Sequence, residues 1–399
     1  MNLQNISRKA KASIVTVAVS AAMVLGLASC SLDYTVGYVY MTTAKTGVIN
    51  EYAIDFQSGA LGSIGTINAG NNPVRIVASP NGKFVYVANQ GDSTVQEFTV
   101  QSDGTLAANT AYKVNGTVPT ALAIDPQGAF LYVAVRYQAG YSSTTPGPGD
   151  ITIFPVSATD GSLGTALTQN VGNTPAGVSV SYFNHFVYVI DQEIVAPQIL
   201  GFSQGSTGAL TPVPGTTITT VGGKTVGTGY PGGVVPSAIA EEPTARFLYV
   251  TDQAANQLIG YDVNPNGSLV PMINGPFATG LFPVAVTVDP TGKLLYVVNY
   301  NANTIQGYAI DTATGTPSGA VGAFATAVGA GPTCLAIDPA LGTNLYVSNN
   351  LDNTVSGLRL NPSTGALSTD QNSPYLAAGQ PTCLAVVPNG AHASQIITP

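Results

Sequence analysis

Short apolar runs, broken by turns rich in Gly, Pro, Asn and Asp, recur along this chain with a period near fifty residues. One phrase carries the period: an apolar pair, then Tyr-Val, one further residue, and often Asn or Asp. Phe84-Val85-Tyr86-Val87-Ala88-Asn89, Phe247-Leu248-Tyr249-Val250-Thr251-Asp252 and Leu294-Leu295-Tyr296-Val297-Val298-Asn299 are three copies. The landmark tyrosines are Tyr40, Tyr86, Tyr132, Tyr188, Tyr249, Tyr296 and Tyr346, spaced by 46, 46, 56, 61, 47 and 50 residues. Seven near-regular copies of one phrase mark a repeat architecture.

Each copy has the same internal order. A Pro-led apolar run such as Pro119-Thr120-Ala121-Leu122-Ala123-Ile124 comes first, followed by a turn such as Asp125-Pro126-Gln127-Gly128. There Pro presets φ and Gly accepts the positive φ of the turn. The Tyr-Val run is next, then an alternating run such as Thr94-Val95-Gln96-Glu97-Phe98-Thr99-Val100, a Gly-containing turn and a short last run. Period-two alternation without a sustained helical period predicts four antiparallel strands per repeat. Seven such sheets arranged radially make an all-β, seven-bladed β-propeller, whose closure removes exposed sheet edges.

The same reading predicts how the ring closes. Tyr40 has no Pro-led run before it, whereas Pro381-Thr382-Cys383-Leu384-Ala385-Val386-Val387-Pro388 has no Tyr-Val run after it. The C-terminal run is therefore expected to complete the first blade. Residues 37–390 form one propeller on this reading, residues 30–36 a linker and 391–399 a tail.

Residues 1–29 stand apart. Arg8, Lys9 and Lys11 precede an apolar stretch, residues 14–27, that is too short for a good spanning helix of about 20 apolar residues. A cationic start, a short apolar core and small residues at its end predict a secretory signal peptide. Its end, Leu27-Ala28-Ser29-Cys30, resembles the bacterial lipobox, which implies lipidation at Cys30 and a membrane tether. Ser31 in place of Asp favours the outer membrane in a diderm host. Without residues 1–29 the chain has nine basic and twenty acidic side chains, a net −11. No basic cluster follows Lys11, so nucleic acid is excluded as a partner.

The Tyr-Val-x-Asn strands and Pro-Asp/Asn-Gly turns resemble the YVTN-type propellers and the related lactonase family, typified by 6-phosphogluconolactonase-like propellers. The resemblance extends over roughly residues 34–390 and implies lactone hydrolysis, with polar groups that include Arg around the channel mouth.

Two places are candidate sites. Two long insertions, residues 136–149 between strands B and C of blade 3 and residues 214–233 between blades 4 and 5, fall on one face. Arg136, Tyr137, Tyr141, Asp191, Glu193 and Tyr230 are expected to border a site for a protein, glycan or small ligand there. The second is Arg75. At its repeat position the other blades carry Ala121, Gly177, Ala238, Ala285, Cys334 and Cys383, all small. A cation in that ring must reach water, an acid or a bound anion.

Catalytic motifs are missing. His185 falls in a surface turn and His392 in the tail, and no nucleophile elbow, zinc helix or phosphate loop occurs. Asn89, Asp191, Asp252, Asn299 and Asn349 follow successive Tyr-Val runs and could hold a divalent metal, but their regular recurrence reads as turn capping. No cofactor is therefore expected. Cys334 and Cys383 occupy equivalent positions in neighbouring blades and are read as two buried thiols. Binding on the loop-bearing face is the main functional expectation and lactone hydrolysis the alternative.

Overall fold

The landmark runs are strands buried on both faces. Phe84–Asn89, Phe186–Asp191, Phe247–Asp252, Leu294–Asn299 and Asn344–Asn349 are buried at all six positions. A strand sandwiched between two neighbouring sheets needs apolar side chains on both sides, so it reads as a continuous rather than alternating run. The computed structural model describes residues 35–390, apart from residues 194–195, 222–223 and 321–324.

Seven antiparallel sheets follow the predicted order, strands A to D from the axis outward. In blade 1 the order is Leu61–Asn68, Val48–Asp55, Thr35–Thr43 and then Pro381–Pro388 on the inside. The C-terminal strand therefore closes the ring, with Gly37 opposite Pro388 and Thr43 opposite Pro381. The inner strands lie side by side around the axis, Pro381–Pro388 fitting between Pro332–Ile337 and Pro73–Ala78. In blades 4 to 7 the outermost strand is split. In blade 5, for example, Leu269–Pro271 and Phe277–Ala278 both pair with Gln257–Val263.

The tyrosine of the repeat has a purpose beyond β propensity. Each landmark hydroxyl donates to the carbonyl of a glycine in the C–D turn of the next blade. Tyr40 reaches Gly104 at 2.7 Å, Tyr86 reaches Gly161 at 2.7 Å and Tyr132 reaches Gly208 at 3.4 Å. Tyr188 reaches Gly267 at 3.0 Å, Tyr249 reaches Gly315 at 2.6 Å and Tyr296 reaches Gly365 at 2.8 Å. Tyr346 of blade 7 completes the circle on Gly59 of blade 1 at 2.8 Å. Burial raises the pKa of all seven hydroxyls, which keeps them protonated donors. Each bond contributes about 1 kcal/mol net, and more is lost if the buried carbonyl is left unpaired.

The acceptor is glycine for two reasons. Its φ is positive, +77° at Gly161 and +81° at Gly267. A side-chain carbon there would also lie 2.5 Å from the Phe84 ring or 2.7 Å from that of Phe186, well inside contact distance. Those rings stand two residues before the tyrosines, so one short phrase both packs on the neighbouring turn and hydrogen-bonds to it.

Two expectations change. Cys334 and Cys383 are not free thiols: they form a disulfide, with Cα atoms 4.9 Å apart. Side-chain direction alone argued against a bridge, but neighbouring inner strands converge near the axis until their Cα atoms fall in the bridging range. The insertion at residues 214–233 is also not an irregular loop. Thr217–Val221 and Lys224–Thr228 pair as a hairpin, because β-branched residues are concentrated there.

Candidate functional site

The seven inner strands carry equivalent prolines, Pro73, Pro119, Pro175, Pro236, Pro283, Pro332 and Pro381, which open the strand in every blade but the third, where Thr117 does. A register shift follows each one, which puts Arg75, Ala121, Gly177, Ala238, Ala285, Cys334 and Cys383 level around the ring. One residue earlier, hydroxyls tie strands together across the blades. Thr120 donates to the Pro175 carbonyl at 2.9 Å, Ser237 to Pro283 at 2.7 Å and Thr382 to Pro73 at 2.8 Å. Arg75 thus sits in a rigid ring that its neighbours hold by side chain as well as by packing.

Arg75 is partly buried, and burial lowers its pKa. Its guanidinium donates to the carbonyl of its own neighbour Val74 at 3.2 Å, and among the described residues it has no carboxylate partner. Six small residues stand at its level, two of them joined in the Cys334–Cys383 bridge, around a cation with donors to spare.

A second charge breaks the seven-fold pattern, and sequence reasoning missed it. Three residues along the strand, roughly 10 Å further down the axis, the ring reads Ala78, Ile124, Val180, Glu241, Val288, Ile337 and Val386. The alignment that exposes Arg75 also exposes Glu241; the signal was present one half-strand away. Ser181 Oγ of blade 4 donates to Glu241 Oε1 at 2.9 Å, and the Tyr182 amide also supports the carboxylate. Burial nevertheless pushes the carboxyl up to about 8, with the nearby Glu242 charge adding to the rise. Glu241 opens into an axial cavity of about 480 Å³ lined by residues of all seven blades. Pro80, Pro126, Pro243, Pro290, Pro339 and Pro388 rim it, with Tyr182 at the seventh place. This mouth lies on the A–B face, opposite the inserted loops.

The residues of the predicted loop sector make contacts within the insertions themselves. Arg136 is exposed, its guanidinium 5.8 Å from the Tyr137 ring centroid. Tyr141 folds back on Gly147 inside the same loop, which Gln138 ties to Asn170 of blade 3 at 2.6 Å. Tyr230 pairs with Ile199, donates to the Pro214 carbonyl and meets Tyr261 edge-on at 6.5 Å. The hairpin between them lies against Leu167–Gly172 and Gln198–Gln204. The two insertions therefore converge on the outer part of blades 3 and 4, and most of the named side chains are used in packing these loops. Glu193 is partly exposed.

The residues after the Tyr-Val runs pin either the loop that enters the blade or the strand that follows. Asp191 accepts the amides of Asn173 and Thr174 at 3.2 and 2.7 Å, and Asp252 those of Val234 and Val235 at 2.7 and 3.0 Å. Asn89 donates to the Ala69 carbonyl at 2.6 Å. Asn299 bonds Thr304 at 3.3 Å, and Asn349 bonds Thr354 and Ser356 at 3.0 and 2.9 Å. All five are buried, and burial raises the pKa of Asp191. Among the described residues no three His, Cys, Asp or Glu side chains gather to hold a metal. His185 is exposed in the A–B turn of blade 4, with φ +54°. Cys30 and His392 lie outside the described residues.

Comparison with known proteins agrees with this architecture. Over 151 residues the chain is 27% identical to a 6-phosphogluconolactonase of Sodalis glossinidius, a stretch covering 36% of this chain and 43% of that protein. The chain thus matches less than half the length of that relative. The periplasmic gluconolactonase of Pseudomonas aeruginosa superposes with a TM-score of 0.70 at 19% identity, covering 88% of this chain and 99% of that one. Hydrazine synthase of Kuenenia stuttgartiensis superposes at 0.56 with 16% identity, over 80% and 90%. One ring thus serves unrelated chemistries, and activity must be argued from side chains. The sequence model "Lactonase, 7-bladed beta-propeller" matches residues 38–140 and 213–325. With that match over more than half its length, the chain belongs to the lactonase family of seven-bladed β-propellers.

Proposed function

We propose that this protein hydrolyses sugar lactones at the Arg75 end of its axial channel. The observation that carries the proposal is Arg75 itself, a cation without a carboxylate partner among the described residues, set in a ring of small side chains. Family membership and relatives named 6-phosphogluconolactonase and gluconolactonase favour hydrolysis over binding alone. In the reaction, water adds to the lactone carbonyl, the ring C–O bond breaks, and the proton lost by water ends on the departing ring oxygen. Arg75 would hold an anionic substituent or the carbonyl oxygen as it gains charge, a role that preorganised donors fill well in a partly dry site.

The test is turnover of glucono-1,5-lactone and its 6-phosphate in a pH-stat, corrected for spontaneous opening. Turnover by the folded chain is expected, with kcat/KM falling about 10²-fold in Arg75→Ala, the typical loss for one such donor. Opening no faster than in buffer, or an Arg75→Ala rate equal to wild type, would refute the proposal.

The same proposal includes export and lipid tethering at Cys30, supported by Arg8, Lys9 and Lys11, the apolar stretch and Leu27-Ala28-Ser29-Cys30. Mass spectrometry of membrane-extracted protein should find Cys30 at the mature N-terminus carrying acyl chains. An intact Met1, or an unmodified Cys30, would remove the tether from the account.

A further inference from the structure

The axial cavity on the A–B face has features that lactone hydrolysis at Arg75 does not use. Its walls are apolar at the Glu241 level, where Ala78, Val288, Ile337 and Val386 line it. The side chains named at its rim are proline in six blades and Tyr182 in the seventh. Among the described residues no Lys or Arg lines it, so nothing in the described wall answers the charge of Glu241. A carboxylate held among apolar groups without a counter-ion is strongly disfavoured and takes up a proton instead. Its rise to about 8 is that response.

A ligand that brings a positive charge reverses the response. We propose that this cavity is a binding site for a small organic cation, an ammonium group on an apolar body, with Glu241 as its counter-ion. Ser181 and the Tyr182 amide hold the carboxylate in place from the neighbouring blade. The Tyr182 ring, 46% exposed at the mouth, offers an aromatic face of the kind that attracts ammonium groups. The apolar wall takes the body of the ligand, and the volume is in the range usual for small-molecule sites, about 300–1,000 Å³. Anions are excluded by Glu241 when it is ionised, and neutral ligands gain only the apolar wall.

Besides Tyr182 at the mouth, two other titratable groups lie close. Glu242 turns away into its own A–B turn, where it accepts the Thr244 amide at 3.1 Å. Tyr188, whose hydroxyl interacts with the Glu241 charge, is held protonated by burial. Glu241 is therefore the group that changes state when a cation enters. Below about pH 8 it must release its proton to pair with an ammonium, so binding should expel close to one proton. Affinity should then rise as much as tenfold per pH unit between pH 6 and 7.

Isothermal titration of the folded chain with benzylamine, benzyl alcohol and benzoate tests this, in buffers of different ionisation enthalpy at pH 6 and 7. Benzylamine is expected to bind one per chain, releasing a proton and tightening with pH, while benzyl alcohol and benzoate bind at least tenfold more weakly. Glu241→Gln should weaken benzylamine at least tenfold with its thermal transition intact. Val288→Phe, which fills the cavity and keeps the carboxyl, should do the same. Arg75→Ala should leave benzylamine binding unchanged, which separates this site from lactone hydrolysis. The proposal is overturned if benzylamine fails to bind, if benzyl alcohol binds as well, or if folded Glu241→Gln keeps wild-type affinity.

Discussion

A chain cut after Gln380 is expected to lose its cooperative thermal transition, rather than to melt a few degrees lower. The missing segment contains Pro381–Pro388, the inner strand of blade 1, which pairs along Thr35–Thr43 and packs against blades 2 and 7. Leu384 and Val387 are 4% and 1% exposed, and their loss uncovers Val39 and Met41, both at 0%. At about 1.5–3 kcal/mol for each such side chain, the lost burial is roughly 6–12 kcal/mol. A typical domain has a total stability on the order of 5–15 kcal/mol. The disulfide from Cys383 to blade 7 and the Thr382 hydrogen bond to Pro73 are lost as well. Calorimetry of the shortened chain checks this: a sharp transition at the wild-type temperature would show that the ring does not depend on its closing strand.

The pH dependence of stability should run opposite to that of a protein rich in salt-bridged carboxylates. Burial raises five carboxyls, Glu51 and Asp191 among them, and carries Glu241 to about 8, Asp150 to about 7 and Asp370 to about 6. Asp150 receives the Thr152 hydroxyl at 3.3 Å on one oxygen, and its other oxygen has no partner among the described residues. Neither oxygen of Asp370 has one, and Arg359 only partly offsets its burial. Each group keeps its proton in the native state at pH values where the unfolded chain has released it. The stabilisation is therefore complete below about pH 4 and disappears as pH rises through 6, 7 and 8. Urea unfolding should show the protein more stable at pH 5 than at pH 8.5 by up to about 8 kcal/mol, and Glu241→Gln or Asp150→Asn should flatten the slope. Equal stability at the two pH values would mean that water or rearrangement relieves these carboxyls.

What the sequence disclosed and what it withheld follow one physical division. The repeat, the strand order and the ring closure were legible because apolar periodicity and turn residues report burial and chain reversal directly. Arg75 was legible because one cation stood among six small residues. Glu241 was equally visible in the aligned strands, three residues further along than Arg75. The acceptors of the tyrosine hydroxyls were not legible, since a glycine carbonyl is a backbone atom and only the glycine's recurrence hints at it. The Cys334–Cys383 bridge depended on how closely strands converge at the axis, a distance that residue order does not encode. The loop residues Tyr141 and Tyr230 looked available because insertions attract ligands. In the fold their rings and hydroxyls support the insertions themselves.

The seven tyrosine bonds have a consequence for the topology of the molecule. The bond from Tyr346 to Gly59 repeats the other six, although it joins residues at opposite ends of the chain. Gly37 lies opposite Pro388, and the Asn389 amide donates to the Val36 carbonyl at 2.9 Å. In these contacts the ring therefore carries no mark of where translation begins. A circular permutant, with these neighbouring ends fused and a new opening in the exposed stretch of residues 143–146, would keep every one of the seven bonds. Which blade is first is a property of the polypeptide and its coding order, while the tyrosine bonds treat all seven junctions as the same joint, and only the Cys334–Cys383 bridge singles out the seam between blades 7 and 1.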